Sequence, residues 1–244
     1  MLEVEQRSGV TVLRMCHGKV SALDLELLQA ITAALGEMPE AAPAVITGTG
    51  SAFSAGVDLR RIVAGGPGYA AEFLPALTAA FLAIFEHPGP VVAAVNGHAI
   101  AGGCVIAAAC DLRLMSQGSI GLAELSVGVP FPVSAMEIMR YAVGPAAGRL
   151  ALGAPLLDPA GARSIGLVHD VVAPEALLDL AVGQADAMGG TPAEVFSFTK
   201  RQLQQPARER IAARGDDDAV LAMWSSAATR DRISAYLERL RRPK

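Results

Sequence analysis

Residues 97–111 read GHAIAGGCVIAAACD, and this stretch decides the fold. It lies between two short apolar runs, VVAAVN at 91–96 and DLRLMS at 111–116, each of which has the length and composition of a buried strand. The Gly and Ala residues between them predict a loop and then a helix that packs closely or brings its backbone against a ligand. A strand, a loop, a helix and a second strand in this order predict an α/β domain with crossover connections.

The same order occurs earlier in the chain. The run AVITG at 44–48 predicts a buried strand, and GTGSAFSAGVDLRRI at 48–62 forms a second loop rich in small residues. Small residues let backbone N–H groups approach a ligand, and a helix N-terminus adds partial positive charge at the same place. Two such loops facing each other predict a pair of N–H donors for an oxyanion, although close packing alone would also explain the Gly and Ala content.

The remaining pattern predicts an α/β core over residues 1–190 and a helical C-terminal region over residues 191–244. At the N-terminus, LEVEQR and VTVLRM joined by SG predict a hairpin. Ser21 is predicted to cap a helix that runs to Met38. After Pro132 the chain is predicted to be helical only. The predicted helices beyond the first span residues 70–86, 134–141, 145–152, 174–188 and 216–240.

Composition argues against several classes of protein. No apolar run reaches the roughly 18 residues that a membrane helix needs, and the N-terminal MLEVEQRSGV carries charge where a signal peptide would be apolar. The formal net charge of −4, with no basic tract before the C-terminal end, argues against nucleic acid as a partner. The odd number of cysteines, three, argues against a disulfide framework. We therefore expect a soluble cytoplasmic protein.

The two loops carry a specific resemblance. SAFSAGVDL at 51–59, taken with GHAIAGGCVIAAACDLRLMS at 97–116, resembles the two signature segments of the crotonase, or enoyl-CoA hydratase/isomerase, superfamily. The resemblance extends from HGKVSALD at 17–24 to the terminal YLERL at 236–240. It implies a crotonase (ClpP-like) α/β spiral of ββα units with a helical C-terminal layer that forms trimers. It also implies an acyl-CoA thioester as substrate, a homotrimer or homohexamer, and no cofactor beyond the CoA of the substrate.

In that family two backbone N–H groups hold the thioester carbonyl, and by position they are those of Val57 and Gly102. The Gly-rich segment 62–77 is expected to be a loop beside the acyl pocket. The resemblance further implies contacts to CoA or to the acyl group from Ser54, Ala55, Gly56, Asp58, Leu59, Arg60, Ala101 and Ala123. Phe198 and Lys200 resemble a position on a C-terminal helix that contacts CoA, often from a neighbouring subunit.

The acid/base residues separate the reactions of the family. Hydratases use two glutamates, whereas this chain has Val105 at the first position and Glu124 at the second. This pattern resembles the isomerases, in which a single base takes a proton from C2 of a 3-enoyl thioester and returns it to C4. One departure is Ala123, where the isomerase pattern has Asn. An apolar setting is expected to raise the pKa of Glu124 toward neutrality; without the resemblance, a glutamate that caps a turn or pairs with Arg149 would explain this residue.

Three functions remain open at this point. The first is an isomerase that uses Glu124 alone, and the second is a hydratase in which Glu124 acts alone or with Glu137, which lies thirteen residues further on a predicted helix. The third is a non-catalytic acyl-CoA-binding protein that has kept the thioester site without the chemistry. The histidines have neither an i, i+4 partner nor a cysteine pair, so we predict no metal site.

Overall fold

The computed structural model describes residues 1–213 and 215–241. The chain begins with an antiparallel hairpin, β1 (Leu2–Arg7) and β2 (Val10–Met15), followed by α1 (Leu25–Glu37). The hairpin is confirmed, but the predicted helix cap is wrong. The cap is Asp24, whose carboxylate accepts a hydrogen bond from the N–H of Leu27. The hydroxyl of Ser21 instead donates to the carbonyl of Met15, because Ser21 lies in the preceding loop.

Three strand–strand–helix units follow, and each contributes one strand to each of two sheets. The units are β3 (Ala44–Thr47), β4 (Ala52–Ser54) and α2 (Leu59–Phe85); β5 (Val91–Val95), β6 (His98–Ile100) and α3 (Gly102–Ala109); and β7 (Leu112–Met115), β8 (Ile120–Gly121) and α4 (Glu124–Val127). The chain continues through α5 (Val133–Val143), α6 (Ala146–Gly153), α7 (Pro159–Ser164), β9 (Asp170–Val171), α8 (Leu177–Gly189), α9 (Ala193–Ala212), α10 (Asp217–Ser225) and α11 (Ala227–Arg241).

The large sheet has the order β1-β2-β3-β5-β7-β9, and the small sheet has the order β4-β6-β8. All pairs except β1 with β2 are parallel. The central strands are apolar on both faces because both faces are covered. One face, which includes Val45 and Val92, packs under α8, and the other, which includes Ile46 and Ala93, belongs to the main core with α1, α2 and α3.

The small sheet positions the loops that matter for function. Its three short strands pair in parallel, so the residues after them lie at one common edge, where ligands bind in open α/β sheets. Those residues are 55–58 after β4, 101–102 after β6 and 122–124 after β8. The strands β4 and β6 fall within the two predicted loops, and β8 lies in a segment for which no element is predicted.

Helix α2 is longer than predicted. It begins at Leu59, eleven residues before the predicted start, because the side chain of Asp58 accepts from the N–H groups of Arg60 and Arg61. The segment 62–77, expected to border the acyl pocket with a Gly-rich loop, is thus helical on both sides of a break at Gly66, and Leu77 lines the cavity described below. Gly66 adopts a φ of 60°, which allows a kink where a break was expected. By length and composition α2 could cross a membrane, but its buried side chains, among them Phe73 and Phe81, make it a core helix.

The C-terminal region also differs from the prediction. The segment after Pro132 contains the strand β9, which pairs with β7 and was not predicted, whereas the helix expected at Phe198 and Lys200 is α9. The single helix expected over 216–240 is divided at Ser226 into α10 and α11. Both helices pack on α2, so they lie over the edge of the small sheet.

Candidate active site

A cavity of about 580 Å³ opens at the common edge of the small sheet. One end is formed by exposed or half-buried residues of the loop 17–20 and of the segment 55–60, which includes the start of α2. The two segments are joined by a hydrogen bond of 3.0 Å from the N–H of Ala55 to the carbonyl of Val20. The other end is apolar and buried, with Leu77 and Phe81 among its lining residues. The cavity therefore has a polar entrance and an apolar interior, the form that an acyl thioester with a polar carrier requires.

The backbone around Val57 is held so that its own N–H is available. The N–H of Leu23 donates to the carbonyl of Gly56 at 2.8 Å, and the N–H of Asp58 donates to the carbonyl of Leu23 at 2.8 Å. In this parallel bridge the amide of Val57 faces away from Leu23. No residue in the described part of the chain accepts a hydrogen bond from it. Val57 also lines the cavity.

Gly102 presents a second free amide. It is the first residue of α3, so its N–H has no partner within the helix, and no side chain caps this helix end. The preceding Ala101 has a φ of 52°, a strained value for a residue with a side chain, and its N–H is fixed to the carbonyl of Gly121 at 2.8 Å. A methyl group on Gly56 would lie 2.6 Å from the carbonyl oxygen of Ile100 and 3.3 Å from the nitrogen of Gly102. The two loops are therefore in direct contact, as paired donors require.

Glu124 is the first residue of α4 and lies in the same cavity. Its side chain is buried, and its Oε2 has no hydrogen-bond partner in the described part of the chain. Burial raises the pKa of Glu124 from 4.5 to about 7. No ion pair to Arg149 is present among the described residues, and the turn after α4 is closed by the backbone carbonyl of Glu124 rather than by its carboxylate. A buried carboxylate with an open oxygen and a pKa near neutrality can act as a general base.

A second acid is missing from the cavity. Val105 is fully buried and lines the wall at the position where hydratases carry a glutamate. The carboxylate of Asp58 also reaches the cavity, but it accepts two backbone N–H groups at the start of α2. Glu137 does not line the cavity; it is buried between Arg140 and Arg210, with 2.5 Å from its Oε2 to Nε of Arg210. Of the two carboxylates that line the cavity, Asp58 serves as a helix cap, and Glu124 has a buried oxygen, Oε2, without a partner in the described chain.

Most of the predicted contact residues come together here. The predicted contact residues that line the cavity, in addition to Val57, Gly102 and Glu124, are Ala55, Asp58, Leu59, Arg60, Ala101 and Ala123. Ser54 and Gly56 shape the first loop instead: the hydroxyl of Ser54 donates to the carbonyl of Ser21 at 2.7 Å and accepts from the N–H of Gly56 at 3.2 Å. Sequence analysis missed the contribution of the C-terminal helices, whose cavity residues are Trp224, Tyr236, Leu237 and Leu240.

Lys200 is not brought to the cavity. Its side chain is 5% exposed, and its ammonium donates to Oδ2 of Asp111 at 2.7 Å and to the carbonyl of Gly89 at 3.2 Å. The charge of Lys200 is paired inside the chain, where it ties α9 to the sheet, and the expected CoA contact, which family members often make from a neighbouring subunit, stays a prediction. Phe198 lies two residues earlier and is exposed on the surface of α9.

Replacing Lys200 with Met is expected to lower the free energy of unfolding by about 3–5 kcal/mol, because the carboxylate of Asp111 would remain buried without its partner. The affinity of the folded variant for an acyl-CoA should be unchanged. Chemical denaturation and calorimetric titration measure the two quantities. The double variant Lys200→Met with Asp111→Asn should recover part of the stability, and a selective loss of acyl-CoA affinity would show that Lys200 contacts CoA after all.

No cluster of three or more histidine, cysteine or acidic side chains suited to a metal occurs in residues 1–213 and 215–241. The buried thiols are also unsuited to chemistry at neutral pH, since burial raises the pKa of Cys104 and Cys110 well above the ordinary range. The described residues offer this cavity two backbone amides without partners and one carboxylate with an open oxygen.

Comparisons with known proteins agree with this geometry. The profile of the Enoyl-CoA hydratase/isomerase family matches residues 5–243. Enoyl-CoA delta isomerase 1, mitochondrial, from Homo sapiens is 26% identical over 254 residues, covering 100% of this chain and 84% of the relative. A putative enoyl-CoA hydratase from Thermus thermophilus is 30% identical over 210 residues, covering 83% of each chain.

The structural comparison confirms the predicted fold. The crystal structure of human mitochondrial delta3-delta2-enoyl-CoA isomerase superimposes with a TM-score of 0.92 at 26% identity, covering 98% of this chain and 97% of that chain. The strand–strand–helix units and the two parallel sheets are thus those of the crotonase fold. Together, the profile match along almost the whole length and the shared fold show that the chain belongs to the enoyl-CoA hydratase/isomerase family.

Proposed function

We propose that this protein is an enoyl-CoA isomerase, which shifts a double bond from the 3 to the 2 position of an enoyl-CoA. One observation carries the proposal: Glu124 is buried with an open oxygen, while the position of the second hydratase carboxylate is the fully buried Val105. A proton shift needs one base, whereas addition of water is best served by an acid and a base together. The similarity to the human isomerase along the whole chain supports the same choice.

The proposed mechanism uses the two amides and Glu124 in two steps. The thioester carbonyl accepts hydrogen bonds from the N–H groups of Val57 and Gly102, and the carboxylate of Glu124 removes a proton from C2. The C2–H bond electrons move into the C1–C2 bond, and the carbonyl oxygen takes the negative charge that the two donors stabilise. The enolate then collapses: a C4–H bond forms with the proton from Glu124, and the double bond moves from C3–C4 to C2–C3. No water is consumed, and the carboxylate is regenerated.

Other residues would hold the substrate for these steps. The loop residues Ala55 to Arg60 with Ala101 would contact the CoA moiety and the thioester at the polar entrance. Ala123 lacks the side-chain amide of the isomerase pattern, so orientation of the thioester would depend on the backbone donors. We propose further that the enzyme works in the cytoplasm as a homotrimer or homohexamer, with CoA carried by the substrate and no resident cofactor.

The test compares two substrates with the same protein. We expect a medium-chain 3-enoyl-CoA to be converted rapidly to the conjugated 2-enoyl thioester, and a 2-enoyl-CoA to be hydrated at a negligible rate. Absorbance of the conjugated thioester follows both reactions. Faster hydration than isomerisation would establish a hydratase, and tight acyl-CoA binding without either reaction would establish a binding protein.

A further inference from the structure

The active-site cavity has a larger neighbour. A groove of about 1000 Å³ borders the same helices α2, α5 and α10, and each of these helices lines both spaces. Leu77 and Phe81 of α2, Ala135 of α5 and Trp224 of α10 line the cavity. The groove is lined by neighbouring residues of the same helices, which are Leu74, Thr78 and Leu82, then Ser134, and then Val220 and Leu221. The three helices therefore form a wall that the two spaces share.

Trp224 is the largest side chain that α10 contributes to this wall. It is 2% exposed, and its indole N–H donates to the carbonyl of Pro130 at 3.0 Å. Pro132, two residues further along the same segment, borders both the cavity and the groove. An indole fixed by a hydrogen bond and packed in the core cannot turn aside easily, since a buried ring in a dense core has few other rotamers.

The order of residues along the cavity places Trp224 at the acyl end. The entrance is formed by the loop 17–20 and the segment 55–60, while the segment that begins at Glu124 passes through Val127 and Val129 to the contact of Pro130 with Trp224. Each lining residue after Glu124 on this segment is apolar. An acyl chain whose thioester lies between the two amides, with C2 beside Glu124, would run along this buried apolar wall.

We propose that Trp224 is the end wall of the acyl cavity and limits the length of acyl chain that this enzyme accepts. The proposal rests on the acyl-CoA specificity argued above and names the residue that determines it. Chains that end before the indole bury all their methylenes in the cavity, and longer chains meet the ring. The groove residues that adjoin the wall include Leu74, Leu82, Val220 and Leu221, while charged residues of α9 and α10 line other parts of it. Removal of the indole would therefore give longer chains an apolar path of several further carbons.

Binding of saturated acyl-CoAs tests the proposal without any turnover. The dissociation constant of the wild-type protein should fall about fourfold for each added methylene and then stop falling at a defined length. In Trp224→Ala this break should move to chains longer by several carbons, and in Trp224→Phe, which keeps a smaller ring, by fewer. Isothermal titration with a series from butanoyl- to hexadecanoyl-CoA, kept below the micelle concentration, measures the break.

Leu221→Ala is the matched control, because it removes apolar volume from the same helix on the groove side and should leave the break unchanged. An unchanged break in Trp224→Phe and in folded Trp224→Ala would overturn the proposal, as would a wild-type series with no break. The same series distinguishes failure of this proposal from failure of the proposed isomerase function. A protein whose affinity series shows the break but which converts no 3-enoyl-CoA would have Trp224 as its end wall without the isomerase reaction.

Discussion

Glu124→Gln is expected to reduce kcat/KM for a 3-enoyl-CoA by about 10²–10⁴-fold, the range typical of a lost general base. The amide cannot take the C2 proton, and the described cavity offers no other carboxylate free of a backbone cap. Binding of a saturated acyl-CoA should change little, because shape and hydrogen-bonding groups are kept. Steady-state kinetics and calorimetric titration measure the two effects.

Glu72→Gln is a suitable control, since Glu72 is exposed on α2 and does not line the cavity. It should leave both kcat/KM and acyl-CoA affinity unchanged. If Glu124→Gln kept more than a tenth of the wild-type rate while folded, Glu124 could not be the base. The presence of Val105 in place of a second glutamate would then not indicate an enzyme with a single base either.

The raised pKa of Glu124 predicts two pH dependences of the wild-type protein, one of its activity and one of its stability. The base must be ionised, so wild-type kcat/KM should rise with pH through about 7 and level off above it. Stability should move in the opposite direction, because the unfolded chain ionises this carboxyl near 4.5 and the folded chain only near 7. Folding stability therefore falls between these two values and stays reduced at higher pH.

Glu124→Gln removes that cost of burying a charge, so above pH 7 the variant should be more stable than the wild type by about 3 kcal/mol. At pH 4 the two proteins should be nearly equal, since the wild-type carboxyl is then protonated in both states. Urea denaturation at pH 4 and pH 8 gives the comparison. A variant less stable than the wild type at pH 8 would mean that the carboxylate makes a stabilising contact.

The candidate site residues could be named from the sequence more readily than the elements around them. Val57, Gly102 and Glu124, the proposed donors and base, lie in motifs that are continuous in the chain, so the family resemblance was sufficient to single them out, and all three line one cavity. The strands before them have three, three and two residues, too few to give a period-two pattern. Their pairing, which brings the three loops together, depends on contacts between distant segments.

Two other errors have equally physical causes. Gly65, Gly66 and Pro67 have the composition of a break, and Gly66 is non-helical with a φ of 60°; the error concerns the residues before it, which form a helical segment from Leu59 because Asp58 caps its start. Trp224 and Lys200 lie in helices whose local sequence says nothing about what they face. Trp224 lines the cavity, whereas Lys200 pairs with Asp111 inside the chain. Which of these positions a helix residue takes depends on how the C-terminal helices pack on the sheet.

Gly56→Ala is expected to reduce kcat/KM by about 10²–10³-fold, the effect of losing one oxyanion donor. Gly56 has a φ of 81°, and a methyl group there would lie 2.6 Å from the carbonyl oxygen of Ile100 and 3.0 Å from Cβ of Ala101. The first loop must then move away from the second, and the amides of Val57 and Gly102 no longer converge on one oxygen. Kinetics with a 3-enoyl-CoA measures the loss.

Gly50→Ala separates this effect from backbone strain. Gly50 has a similar φ of 64°, but a methyl group there meets nothing within 4 Å. Both variants should lose about 1–2 kcal/mol of stability from the left-handed conformation, whereas only Gly56→Ala should lose activity well below its unfolding transition. If Gly56→Ala were as active as Gly50→Ala, convergence of the two loops would not be needed for catalysis. If both lost activity equally, strain in the first loop, rather than its approach to Ile100, would control the rate.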